Sequence, residues 1–236
     1  NLLPRASNIF NVHTTLNYYN RIGIRGRFEF SRVSEEVVEK IIENLEINKA
    51  PGIDDISSVF LKDSCALVKK PITQLINLSI SKSSFPDLCK IAKITPLFKK
   101  GSKTDKQNFR PISLLPILSK IFEKVIEGQT REFLAVEDII YKYQSGFRKG
   151  FSTEGCLSYL HDSISRGLEA GDYTGMILID LQKAFDTINH AVLLEKLRCM
   201  HFSESVIAWF RSYLSNRSFR VIINNKLSNS GHLRCG

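Results

Sequence analysis

The sequence predicts an α+β fold, and three observations predict it. Helical periodicity dominates residues 34–171, a short apolar run ending in a carboxylate follows at Met176–Asp180, and the chain closes on a helix–helix–hairpin pattern. Helices first and strands later, rather than strict strand–helix alternation, argue against a doubly wound parallel sheet. Neither Gly-x-Gly-x-x-Gly nor Gly-x-x-x-x-Gly-Lys-Ser/Thr occurs, so neither phosphate-cradling loop is present.

Taken in order, Phe28 and Phe30 alternate around Glu29 as a short edge strand would. Ser34 then caps an amphipathic helix over 34–45, with Val37, Val38, Ile41, Ile42 and Leu45 on one face. Asn48–Lys–Ala–Pro–Gly52 is turn chemistry. Residues 57–69 and 71–82 read as two helices divided at Pro71, which suits a first helical turn. Ile91–Phe98 is extended, and Pro96 bars it from a central helix or strand position. A loop rich in Lys, Gly and Ser leads to Asn108–Phe–Arg–Pro111. Beyond Pro116 a helix buries Ile117, Ile121, Phe122, Val125 and Ile126. After the basic Gln144–Gly150 loop, Ser152 or Thr153 opens a helix carrying Leu157, Leu160, Ile164 and Leu168, which Gly171 ends.

Met176–Ile179 has the length and residue types of a buried strand. An Asp at its end needs a partner, a metal or a water-filled cleft, because an unpaired buried carboxylate costs several kcal/mol. Asp186 or Thr187 is expected to cap the next helix, where Val192, Leu193, Leu194 and Leu197 recur at helical spacing. Ser203 caps a further helix through Val206, Ile207, Phe210 and Leu214, and Phe219–Ile223, Asn224–Asn225 and Lys226–Ser230 read as a hairpin.

Composition narrows the function classes. The 236 residues carry a formal net charge of +9 with 43% hydrophobic and 24% charged residues, a globular balance that favours a polyanionic partner. The five cysteines are isolated and odd in number, which indicates neither zinc nor a disulfide framework and suits a reducing cell interior. No run approaches the roughly 20 apolar residues of a membrane span. The chain opens on Asn1, its first methionine is Met176, and it stops at Gly236 without a polar tail; both ends are expected to be cut from a longer protein.

The chemistry-bearing residues fall into two groups. Lys90, Lys93, Lys99, Lys100, Lys103, Lys106 and Arg110 crowd one loop, offset by Asp105. Lysine runs are commonly solvated loop surface, but Arg110 sits between Phe109 and Pro111, where its fork would be partly held and suited to bidentate phosphate contact. Asp180 at a strand end, with phosphate-binding cations opposite, is the equipment of nucleotidyl transfer, in which carboxylates hold Mg²⁺. Phe185 reads either as a core residue over a helix start or as a plate under an incoming sugar that leaves no room for a 2′-hydroxyl.

Five stretches occur in order: Asn48–Lys–Ala–Pro–Gly–Ile–Asp–Asp–Ile56, Ile94–Thr–Pro–Leu–Phe–Lys–Lys–Gly101, Asn108–Phe–Arg–Pro–Ile–Ser–Leu–Leu–Pro116, Gln144–Ser–Gly–Phe–Arg–Lys–Gly150 and Ile179–Asp–Leu–Gln–Lys–Ala–Phe–Asp186. Together they resemble the reverse transcriptase domain of non-LTR retrotransposons, nearest to jockey-like and related animal elements, over residues 15–236. The resemblance implies a right-handed polymerase fold: residues 1–49 a linker carrying the first helix, 50–172 the fingers, and 173–236 the first part of an incomplete palm. It implies that Asp180 is the first catalytic aspartate and a ligand of two Mg²⁺ ions, with the Leu181 backbone carbonyl on one of them. Arg110 would grip the dNTP triphosphate beside Lys99 or Lys100, and Phe185 would select the sugar. Gln144, Gly146 and Arg148 would lie near the template and nucleotide pocket, with Asp186 at a helix start.

The implied partners are an RNA template, a DNA primer and target, dNTPs and an upstream endonuclease domain of the same polyprotein. No membrane is implied, and the implied setting is the nucleus and cytoplasmic ribonucleoprotein. The family pattern continues into a Pro–Gln–Gly loop and a hairpin with two adjacent aspartates, and this sequence contains neither. Asp54–Asp55 is the one Asp–Asp pair, and it reads as turn and helix-cap chemistry. A single Asp cannot hold two Mg²⁺ about 3.5–4 Å apart, so this polypeptide alone is expected to be inactive. The alternative is a non-catalytic RNA-binding remnant of a decayed element.

Overall fold

In a computed structural model, residue 19 and residues 23–181 and 184–233 are described. The elements are α1 (Glu35–Glu43), α2 (Ser58–Asp63), α3 (Cys65–Ser81), β1 (Ile91–Phe98), β2 (Phe109–Leu114), α4 (Ile117–Val136), α5 (Thr153–Glu169), α6 (His190–Cys199), α7 (Glu204–Leu214), β3 (Ser218–Ile223), β4 (Lys226–Leu227) and β5 (Gly231–His232). This is a mixed helix-and-sheet fold, as the patterning predicts.

The main core forms where the apolar stripes of α1, α3 and α4 meet. Val38 and Ile42 of α1, Ile76 of α3, and Ile121 and Phe122 of α4 are buried together with Phe85 and Trp209. All five apolar positions expected to be buried in α4 are buried. Trp209 joins the layers: its indole N–H donates to Ser79 Oγ of α3 at 2.9 Å, and its ring stacks on Tyr213 at 5.6 Å between centroids. The indole thereby buries its large apolar area without leaving a donor unmet. A second cluster gathers Phe28, Leu194, Phe202, Val206 and Ile207. Phe28 makes a single parallel bridge to Phe202, with Phe28 N donating to His201 O and Ser203 N to Phe28 O, both at 3.0 Å.

The sheet runs β2-β1-β3-β4, with β5 also on β3. β1 and β2 are antiparallel, β1 and β3 parallel. β1 is therefore flanked on both sides at Lys93 and Ile94, contrary to the expectation that Pro96 bars the strand from a central position. The register explains this. Pro96 faces Pro111 across the ladder, while Lys99 N donates to Asn108 O at 2.8 Å three positions on. That phase makes the proline pair a non-hydrogen-bonded one, where neither missing N–H faces the partner. Pro96 also lies beyond the last residue of β1 that β3 pairs with. The β3–β4 hairpin turns at Asn224 and Asn225, φ +49° and +60°, the left-handed pair of a two-residue turn.

Other expectations are corrected. The break between α2 and α3 falls at Ser64, which ends one helix and opens the next. Pro71 lies inside α3, so its fixed φ is accommodated within the helix rather than starting one. Ser34 stands at the N-cap of α1 but makes no backbone cap; its hydroxyl bonds the Glu36 side chain and holds that carboxyl below its usual pKa. The apolar side of α5 is not buried. Its ends behave as read, with Ser152 Oγ accepting from Gly155 N and Gly171 at φ +78°, but none of its residues is buried.

Candidate nucleotide-handling site

The first patch is built on the β1–β2 hairpin. Because side chains alternate across a strand, Lys99 (opposite Asn108) and Arg110 (opposite Leu97) project from the same face of the sheet. Lys100 sits in the turn beside them. The turn closes over Gly101, φ +89°, where an added Cβ would meet the Asn108 side chain at 2.6 Å. Arg110 is exposed, and it forms no hydrogen bond or ion pair with any described residue. The expectation that its flanking residues hold the guanidinium is corrected, because a strand residue on the open face has only solvent above it. Lys99 and Lys100 are likewise exposed and unpaired among the described residues. Three free cations on one hairpin give charge-assisted donors to whatever anion docks there.

The Asn48–Ile56 stretch packs at the other end of the β1–β2 hairpin, beside Lys93 and the Leu115–Pro116 exit of β2. A Cβ on Gly52 would sit 2.5 Å from Pro116 N and 2.7 Å from the Leu115 carbonyl carbon, so only glycine lets the two backbones approach this closely. Lys93 Nζ pairs with Asp55 at 3.0 Å. Asp55 has φ +52°, and Asp54 Oδ1 accepts from Ile56 N at 3.4 Å. The Asp–Asp pair is a turn, as expected, while Ser57 rather than either Asp caps α2.

The second patch joins the Gln144–Gly150 loop to the segment after Asp180. The rings of Phe147 and Phe185 meet edge to face, 6.0 Å between centroids at 84°. Phe185 is 66% exposed, which rules out the core-residue reading. Phe147 is exposed too and holds φ +62°, a left-handed backbone that costs a bulky residue about 1–3 kcal/mol. The loop is held from behind by its own side chains. Arg148 Nη1 donates to the carbonyls of Tyr141, Lys142 and Gln144 at 3.3–3.4 Å, and its guanidinium lies 4.3 Å from the Phe151 ring centroid. Gln144 Nε2 donates to Gly146 O at 3.2 Å. Two residues expected at the template thus brace the loop that carries Phe147.

One feature that sequence patterning missed is the anchor of this loop on α4. Arg131 Nη1 donates to Phe147 O at 2.8 Å, and its Nε pairs with Glu127 Oε1 at 2.8 Å. The Arg131 bond holds the Glu127 carboxyl below its usual range. In the sequence this is an ordinary i,i+4 charge pair on a polar helix face, with nothing to mark a link to a loop sixteen residues away. Beside it, Arg131, Tyr141, Phe147, Trp209 and Tyr213 help line a cleft of about 660 Å³.

Asp180 departs furthest from expectation. Residues 174–181 have no regular secondary structure, and Ile177, Leu178 and Ile179 are 84–88% exposed. The expected strand is absent because a strand must pair its backbone N–H and C=O groups, and every sheet pairing among the described residues is taken by β1–β5. Asp180 is exposed and bonded to no described residue; Leu181 is exposed beside it. Asp186 is not a helix start: α6 begins at His190, capped by Asn189 Oδ1 accepting from Ala191 N and Val192 N. No hydrogen bond, ion pair or ring contact among the described residues joins Asp180 or Phe185 to Arg110. Nor do the donors fit a pair of magnesium ions. Asp180 is one carboxylate, and no group of three or more His, Cys, Asp or Glu side chains comes together among the described residues. No described helix is long and apolar enough to cross a membrane.

The described residues thus offer two separate patches: unpaired cations on the β1–β2 hairpin, and an exposed aromatic pair where a braced glycine-bearing loop meets the segment after Asp180. Residues 98–234 match the family described as reverse transcriptase (RNA-dependent DNA polymerase), and the chain belongs to that family. That span encloses every candidate residue from Lys99 to Asp186. The chain is 31% identical over 203 residues to the probable RNA-directed DNA polymerase from transposon BS of Drosophila melanogaster, covering 86% of this chain and 22% of that protein. It is 31% identical over 209 residues to the RNA-directed DNA polymerase from mobile element jockey of the same fly, covering 87% and 22%. Similarity extends to the uncharacterized 149 kDa protein of transposon TX1 from Xenopus laevis, at 25% over 181 residues, covering 77% and 14%. The chain spans about a fifth of the length of the first of these relatives.

Proposed function

We propose that this chain is the nucleotide-handling part of an RNA-directed DNA polymerase of a non-LTR retrotransposon, adding dNTPs to a DNA primer on an RNA template. The observation that carries this reading is the trio Lys99, Lys100 and Arg110 on one hairpin, unneutralised by any described carboxylate, within the matched reverse transcriptase span. Arg110 and Lys99 bind the triphosphate, Phe185 excludes a 2′-hydroxyl by occupying its space, and Asp180 supplies one carboxylate at the primer end. Residues 50–172 act as fingers and the palm starts at 173, with template and primer running between them. An endonuclease domain of the same polyprotein is the partner this reading implies. The second carboxylate cluster that magnesium chemistry needs is not among the described residues, so no catalytic step is assigned to the ion.

The test is primer extension on an RNA template by the polymerase that carries this domain. RNA-dependent dNTP incorporation that falls when Arg110 becomes Ala supports the reading; incorporation indifferent to Arg110→Ala overturns the triphosphate assignment. The lone carboxylate at Asp180 favours a second reading for the 236-residue chain by itself: it binds RNA through its basic hairpin and does no chemistry. Filter binding that falls steeply with salt, without extension activity, is the result expected of that chain. An absence of RNA affinity at low ionic strength would exclude it.

A further inference from the structure

A residue that discriminates one hydroxyl by steric exclusion has to be held still, because a ring free to swing aside excludes nothing. Phe185 poses that problem. It stands in an exposed turn over residues 184–187, outside any helix or strand. Its ring makes one aromatic contact among the described residues, edge to face with Phe147. We propose that Phe147 is a specificity-determining residue that buttresses Phe185 against the incoming sugar, and that Arg131 is the positioning residue that sets Phe147. The proposal rests on the reading of Phe185 as the sugar-facing plate.

The geometry forms one connected path. Glu127 fixes the Arg131 side chain on α4 through the 2.8 Å pair to Nε. The same guanidinium donates from Nη1 to the Phe147 carbonyl at 2.8 Å, so one planar fork grips the helix and the loop at once. That bond lands on the residue whose backbone is in the left-handed region, φ +62°. It thereby supports a conformation that the loop would otherwise relax out of. Gln144 and Arg148 bind carbonyls of their own loop on the other side. What the loop then presents is a single exposed ring whose edge meets Phe185 at 84°, the geometry in which an aromatic edge and face attract. The substrate class read by this device is the deoxyribonucleoside triphosphate, against its ribonucleoside counterpart.

The experiment measures kcat/KM for a dNTP and for the matching rNTP in primer extension by the polymerase that carries this domain, and compares the ratio between variants. Phe147→Ala and Arg131→Gln should each lower the preference for dNTP by roughly two- to tenfold, the worth of an aromatic contact. Phe147→Tyr keeps the ring and should retain the preference. A purely structural role would lower both substrates together and leave the ratio alone, and that result overturns the proposal. Phe185→Val separates the two readings. If it admits ribonucleotides while Phe147→Ala and Arg131→Gln do not, the buttress is wrong and the plate stands. If Phe185→Val leaves the ratio intact, the plate fails and the buttress with it.

Discussion

Two phenylalanines separate what holds this chain together from what it presents. Phe85 is 1% exposed. Its ring meets Phe122 at 5.5 Å, Trp209 at 5.4 Å and Tyr213 at 4.9 Å, all edge to face. Phe85→Ala empties a site that rigid helices close only in part, so the loss should be about 3–5 kcal/mol. Against a total stability of about 5–15 kcal/mol, that is a large fraction. With a urea m-value of about 3 kcal/mol/M, the midpoint should fall by roughly 1–2 M. Trp209 is the only tryptophan in the chain, and its fluorescence reports unfolding at the mutated site. Phe185→Ala is the matched control. Its ring is mostly exposed, so its unfolding free energy should stay within about 0.5 kcal/mol of the parent. A Phe85→Ala shift below about 1 kcal/mol would refute the core assignment. An equal loss for Phe185→Ala would show that Phe185 serves packing and is not available to a substrate.

Further predictions address separate links. Arg110→Ala and Lys99→Ala should leave the melting temperature unchanged, since both side chains are exposed and unpaired. Each should shallow the log–log salt dependence of RNA binding by roughly 0.7–1, and an unaltered slope removes that residue from the phosphate contacts. Asn189→Ala should cost about 0.5–2 kcal/mol as the lost cap of α6, while Asp186→Ala should cost less than about 0.5 kcal/mol; the reverse order would restore Asp186 as the helix start. Burial first, then the carboxylates of Asp54 and Glu123, push the Cys89 thiol up to about 11 from 9.0. The folded state therefore keeps the thiol neutral where the unfolded chain ionises it. That share of stability, about 2–3 kcal/mol, is complete below pH 9 and lost as pH climbs toward 11. Urea titrations at pH 8 and 10.5 should show a smaller alkaline loss in Cys89→Ala than in the parent. Burial also raises Tyr213, so part of the alkaline loss should remain.

Sequence patterning reached the elements whose identity is local. The α4 stripe and the Asn224–Asn225 turn follow from spacing and backbone preference, and both form as read. It failed where distant partners decide. Met176–Ile179 has strand composition, but composition supplies no neighbouring strand, and the run stays exposed. Pro96 in the sequence argues against a central strand, whereas register across to Pro111 removes the conflict. Among the candidate residues, Arg110 and Phe185 stand out from side-chain chemistry and neighbours, and Lys99 from the family resemblance; the structure leaves all three exposed. The Arg131–Phe147 link does not stand out in the sequence, because it depends on a positive φ and on a helix meeting a loop.

The most direct test is single-nucleotide extension of a DNA primer on an RNA template by the polymerase that carries this domain, parent against Asp180→Ala. A carboxylate that serves the primer end predicts that the alanine variant loses extension while its RNA affinity and melting temperature stay at the parent's values. Extension at the parent's rate without Asp180 would contradict the account.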